Sequence, residues 1–246
     1  QRNHPRPMKS LFLKEITAFF GSLTGYLVLV LFLVAIGLLV WVFPESSVLD
    51  YGYADLESLF LYTPYVFTFL IPAISMRSLA EERRAGTWEL LQTSPLSLTQ
   101  IVLAKYLALL VLVFMAILPT LGYAYSISLL GNPAGNLDWA GFFGSWLGLL
   151  MIGATFAAVG LFASSLTSQQ VVAFVLGVFL CFVLYFGLTA LAGMVSGDWA
   201  YWIEELSLSY HYNSLSRGVI DSRDIFFLLG MIWVFLGATV LILKKK

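Results

Sequence analysis

Residues able to do covalent, acid–base or metal chemistry are few in this 246-residue chain, and they do not converge. The histidines His4 and His211 fall in the leader and in a late polar passage, on opposite sides of a membrane by the span count below. They share no site. Cys181, the single cysteine, lies in an apolar run, which excludes an internal disulfide and a cysteine-based metal centre. A membrane enzyme needs nucleophile, base or metal ligands that face one another, and an intramembrane serine protease would lack its base here. The apolar runs lack the mid-membrane acid or base of a proton relay. With no GxxxxGK(S/T) phosphate loop, any ATP-driven work requires a partner ATPase. The chemistry that remains is non-covalent docking.

Its best candidate is the charged stretch Glu81 to Tyr106, EERRAGTWELLQTSPLSLTQIVLAKY, set between two long apolar runs. Glu81, Glu82, Arg83, Arg84 and Glu89 alternate with Ala85, Trp88 and Leu91, whose three-residue spacing predicts one face of a short surface helix. Pro95 stops that helix, since proline disfavours a helical Ser94 and supplies no amide hydrogen. Ser97 and Gln100 then have the spacing of a capping box that opens the next helix.

The elements that position this stretch are membrane spans. Hydrophobic residues make up 60% of the chain and charged ones 11%, with a mean hydropathy of +0.89, far from the composition of a soluble domain. The fold class is an all-α integral membrane protein. A net charge of −1 points to no nucleic-acid partner. Six spans are expected, at about 21–43, 59–79, 98–130, 139–163, 171–195 and 224–243, each near or above the roughly 20 apolar residues a bilayer core requires. Residues 1–8 read as a leader or remnant, and 9–246 as one transmembrane domain.

Before the first span, Lys9, Phe12, Lys14 and Ile16 lie in an amphipathic interfacial helix over 9–20. Pro64 and Pro72 kink span two, with neighbouring helices satisfying the freed carbonyls, and Pro119 bends span three. Lys105 snorkels toward water. Asp138 caps span four, where Gly144, Gly148 and Gly153 permit close backbone approach, either within the chain or at a dimer seam. The passage 196–223 holds Trp199, Tyr201, Trp202, Tyr210 and Tyr212, a density that suits short helices at the outer interface.

Orientation follows from the basic residues. Six spans place Arg2, Arg6, Lys9, Lys14, Arg77, Arg83, Arg84, Lys105 and the three terminal lysines on one side, leaving Arg217 and Arg223 opposite. The positive-inside rule makes the first side cytoplasmic. Both termini and the docking stretch then face the cytosol.

The pattern Glu81, Gly86, Thr87, Glu89, Leu90, Leu91, Pro95 and Lys105 resembles the cytoplasmic segment of ABC-2-type exporter permeases, and SLSRGVIDSRDIFF (Ser214 to Phe227) resembles that family's stretch before its last span. More narrowly, AISMRSLAEERRAGTWELL, SLLGNPAGN and ASSLTSQQVVAF are similar to gliding-motility-associated permease subunits. The resemblance implies a coupling helix over Glu81 to Leu91 seated on a cytoplasmic P-loop ABC ATPase dimer. Trp88 and Leu91 would fill the ATPase groove, and Arg83, Arg84 and Glu89 would make rim contacts. It further implies an elbow helix at Lys9 to Phe20, ATP and Mg bound by the ATPase and no cofactor held by this chain. A second membrane subunit (GldG-like) or a second copy of this chain completes the permease, in the bilayer of a bacterial inner membrane. The output is export or mechanical signalling. Other readings stay open: charges that only flank a span, anionic-lipid binding by Lys9 and Lys14, and a non-transporting anchor for an envelope assembly.

Overall fold

Helices follow the apolar runs and the punctuation between them. In a computed structural model, which describes residues 7–51 and 54–245, the protein is all-helical, with no strand among the described residues. His4 and the leader up to residue 6 lie outside the described residues, as do Gly52, Tyr53 and Lys246.

The chain opens with α1 (Pro7–Phe20) and α2 (Leu23–Trp41), followed by the short α3 (Val48–Tyr51). Ser22 accepts the Gly25 amide at 3.2 Å, so α2 starts afresh behind the Gly21–Ser22 break and the two axes differ by 67°. Next come α4 (Glu57–Ser75), α5 (Arg77–Arg84) and α6 (Trp88–Gln92), then α7 (Leu98–Ile117), a 3-10 turn over Leu118–Thr120 and α8 (Leu121–Leu130). The 3-10 turn sits at Pro119, where the missing amide interrupts the ladder. Ser97 and Gln100 form the full capping box of α7.

Asp138 accepts the amides of Ala140 and Gly141, both at 3.1 Å, and starts α9 (Trp139–Leu166). The helix runs three residues past the expected end of span four, which leaves Thr167–Gln169 as the turn to the next helix. After it come α10 (Gln170–Phe182), a π-helical stretch over Val183–Gly187 and α11 (Leu188–Met194). The short α12 (Asp198–Glu205) and α13 (Leu208–Leu215) lead to the last span, α14 (Ser222–Lys245).

Among the described residues five helical stretches are long and apolar enough to cross a membrane, namely Glu57–Arg84, Leu98–Leu130, Trp139–Leu166, Gln170–Met194 and Ser222–Lys245, or six if the bent α1–α2 pair is one span. α9 is the central post: 78% of its most apolar stretch is buried inside the protein, against 22% for each of the last two spans. Its Gly153 and Gly160 explain how others close on it. A Cβ at Gly153 would lie 2.6 Å from Val113 of α7 and 3.2 Å from Phe67 of α4, and one at Gly160 would strike Ser75. The outer faces of α2, α10 and α14 stay apolar and exposed, as lipid-facing surfaces must.

Candidate functional site

The docking stretch does not form one helix. α5 ends at Arg84, where Gly86 takes φ 70°. The Thr87 amide donates to the Glu82 carbonyl at 2.9 Å and the Gly86 amide to Arg83 at 3.3 Å. This is the Schellman termination, which places glycine in the left-handed region and satisfies the last carbonyls. α6 therefore starts in a new direction, and the expected face of Ala85, Trp88 and Leu91 is corrected. Ala85 is exposed and Leu91 half-buried, whereas Trp88 turns inward and is only 8% exposed. The Arg83 guanidinium lies 5.8 Å from the centre of its ring. The side chains that face outward are Glu81, Arg84, Thr87, Glu89 and above all Leu90, which is 72% exposed. Pro95 is exposed between α6 and the α7 capping box.

Serines at the end of α9 bind the start of α5. The Ser164 hydroxyl accepts the backbone amides of Leu79 (3.1 Å) and Ala80 (3.0 Å) and donates to the Met76 carbonyl at 2.9 Å. Arg83 Nη1 donates to the Ser165 carbonyl, one of the unpaired carbonyls that a helix C-terminus offers a cation. The junction at Met76, between α4 and α5, is thereby fixed against the central post.

Lys105 binds α5 to two further helices. The expectation that it snorkels is corrected: its side chain is 1% exposed, about 10 Å into α7 from Leu98 at 1.5 Å per residue. Its ammonium donates to Glu15 Oε1 of α1 at 2.8 Å and to the Ser78 carbonyl at 2.7 Å, and it lies 3.0 Å from Glu82 Oε2. Lys14 adds a longer contact to Glu82 at 3.7 Å. A buried ammonium is tolerable only when paired and hydrogen-bonded, so these partners are what permit its depth. Span three thus carries a buried charge after all, at its basic end. On α1, Lys9 and Lys14 are exposed, Phe12 and Ile16 half-buried and Leu11 buried.

The glycines of α9 divide by partner. A Cβ at Gly144 would lie 2.7 Å from the Gly218 carbonyl oxygen, and one at Gly148 2.7 Å from Leu215 Cβ. They admit the end of α13 and the turn after it, where Ser145 also donates to the Ser216 carbonyl at 2.9 Å. Gly153 alone of the three meets neighbouring spans.

At the end of the bundle opposite Lys105, part of the aromatic passage is packed inward rather than spread at an interface. Trp199, Tyr201 and Trp202 are exposed, but the buried Tyr212 donates to the Phe60 carbonyl at 2.7 Å. His211 stands 2.7 Å from Asp224 Oδ1 and stacks on Phe227, fastening α13 to the first turn of α14. Sequence reasoning missed this pair because histidine and aspartate stand on either side of the Gly218 turn. The Ala-Gly-Thr step after an amphipathic run was a readable C-cap signal for the break at Gly86.

A family model described as ABC-2 family transporter protein matches residues 54–246, which takes in everything from α4 onward and leaves α1 and α2 outside. Comparison with characterised proteins gives no match.

Proposed function

The chain belongs to the ABC-2 transporter family, as a non-catalytic membrane permease subunit of an ABC transporter, and from that membership we propose that residues 77–95 are its coupling element. The family works with a cytoplasmic ABC ATPase. In this reading the basic end of the bundle faces the cytosol of a bacterial cell from its inner membrane, with both termini on that side. The ATPase dimer there binds ATP and Mg, and this chain binds neither. The observation that carries the proposal is the mounting of α5. Ser164 and Ser165 fix it to α9, and Lys105 joins it to α7 and α1. Force applied to the exposed Leu90 and Glu89 thus reaches several helices at once.

The groove-filling residue is reassigned from Trp88 to Leu90, because Trp88 is already used inside the chain. The narrower resemblance supports a gliding-motility-associated, GldF-like role with a GldG-like second membrane subunit, or with a second copy of this chain, for export or mechanical signalling.

The test is copurification of the ATPase from native membranes in mild detergent, with vanadate-sensitive hydrolysis as the second readout. Leu90→Asp is expected to release the ATPase while the chain still inserts and stays monodisperse. ATPase retained by Leu90→Asp would remove this segment from the interface. Biological activity that persists with a hydrolysis-dead ATPase would favour the non-transporting anchor.

A further inference from the structure

A cavity of about 410 Å³ opens between α1, α5 and α7, at the basic end of the bundle. Its volume falls in the range of small-ligand sites. One part of its lining is ionic, with Lys14, Arg77 and Lys105 against Glu15, Glu81 and Glu82, three charges of each sign. The other is apolar, with Phe19, Ile74 and Leu112. A lining that is neutral in sum but charged in its parts, beside an apolar wall, fits an amphipathic zwitterion better than an anion or a hydrocarbon.

Glu82 narrows the chemistry. Its side chain is 11% exposed; Oε2 is paired with the Lys105 ammonium at 3.0 Å, and Oε1 receives no hydrogen bond. Lys105 spends its three donors on Glu15, the Ser78 carbonyl and Glu82 Oε2, so it has none left for Oε1. Lys14, at 3.7 Å, is beyond hydrogen-bond reach of the other oxygen. A buried carboxylate has room for several donors, and an unmet acceptor of this kind is costly.

We propose that this cavity is a site for a phospholipid bearing a primary amine. The ammonium donates its N–H groups to Glu82, the phosphate faces Lys14 and Arg77, and the start of an acyl chain lies along Phe19, Ile74 and Leu112. A trimethylammonium headgroup has the same charge but no N–H to donate. The site is therefore selective between two lipids of equal net charge. A lipid seated there bridges α1 to α5 and so fills the space beside the coupling element; the assignment does not depend on what the transporter moves.

Native mass spectrometry of the full-length chain in mild detergent tests this, with dioleoyl phosphatidylethanolamine, dioleoyl phosphatidylcholine and soluble phosphoethanolamine as probes. The ethanolamine lipid is expected to bind roughly tenfold more tightly than the choline lipid, as one or more charge-assisted hydrogen bonds require, and phosphoethanolamine to bind far more weakly than either. Glu82→Gln should bring the two lipids to within about twofold of each other. Lys14→Met, at an exposed position, should weaken both equally because they share the phosphate. Equal adducts of both lipids on the unmutated chain would overturn the proposal, as would a selectivity that survives Glu82→Gln. Phosphoethanolamine binding as tightly as the lipid would overturn the lipid assignment in favour of a soluble amine. Should Glu82→Gln fail to fold, the headgroup comparison and Lys14→Met decide the matter alone.

Discussion

The ammonium of Lys105 lies 2.8 Å from the carboxylate of Glu15, joining the third span to the N-terminal helix across 90 residues of sequence through a buried lysine and a partly buried glutamate. Because Glu82 shares the same ammonium at 3.0 Å, one lysine is paired with carboxylates from two helices. Buried ions of this kind contribute little to stability as a set, but removing one member strands the others.

Lys105→Met is accordingly expected to destabilise the chain by about 3–5 kcal/mol, since it leaves Glu15 and Glu82 with only the exposed Lys14 as a nearby cation. The triple change Lys105→Met, Glu15→Gln, Glu82→Gln should recover most of that loss. Fluorescence-detected size-exclusion after a temperature series reads both. A single variant that melts like the unmutated chain would show that the cluster is open to water.

Ser164→Ala removes one hydroxyl and its three hydrogen bonds, with the amides of Leu79 and Ala80 and the carbonyl of Met76. Unsatisfied buried groups cost about 1–3 kcal/mol, so a measurable drop in thermal stability is expected. The functional readout is more specific. ATPase should still copurify, because Leu90 and Glu89 are untouched, while transport per ATP hydrolysed falls. Equal loss of ATPase binding would place Ser164 in the docking surface instead.

The glycines of α9 allow a comparison with an internal control. Gly148→Leu would drive a side chain into Leu215, whereas a Cβ added at Gly237 on α14 would meet nothing within 4 Å. Gly148→Leu should therefore abolish monodisperse protein, and Gly237→Ala should be neutral or stabilising by up to about 1 kcal/mol from helix propensity. If Gly148 served a dimer seam, its variant would instead run as a well-folded monomer.

What could be read from the sequence was what a single helix determines for itself. Apolar run length located the spans, and the side-chain caps at Ser97 and Asp138 stand where their spacing put them. What could not be read was the choice of partner. A lysine seven residues into a span has the same local pattern whether it snorkels or meets Glu15, and only the approach of α1 decides. Gly144 and Gly148 announced a close contact, but its other half, the turn at Gly218, lies some seventy residues away on a separate element. For the stretch from Glu81 to Leu91 the three-residue spacing was misleading, since Gly86 breaks the helix on which that period rests.

Tyr212 and Pro64 supply the last prediction. In an unbroken α-helix the Phe60 carbonyl would accept the amide of residue 64, but proline has none to give. The Tyr212 hydroxyl takes its place, donating to Phe60 at 2.7 Å from a side chain that is itself buried. Thus an outer helix supplies the bond that the span's own sequence withholds, which is how a proline is tolerated where water cannot reach. Tyr212→Phe should cost about 1–3 kcal/mol through the stranded carbonyl. Pro64→Ala restores an amide at the right position, so in the Pro64→Ala background the same tyrosine change should cost much less. A double-mutant cycle on thermal stability measures the coupling. Additive effects would mean that Tyr212 contributes by packing alone, and a strong positive coupling would identify the hydroxyl as the substitute donor for span two.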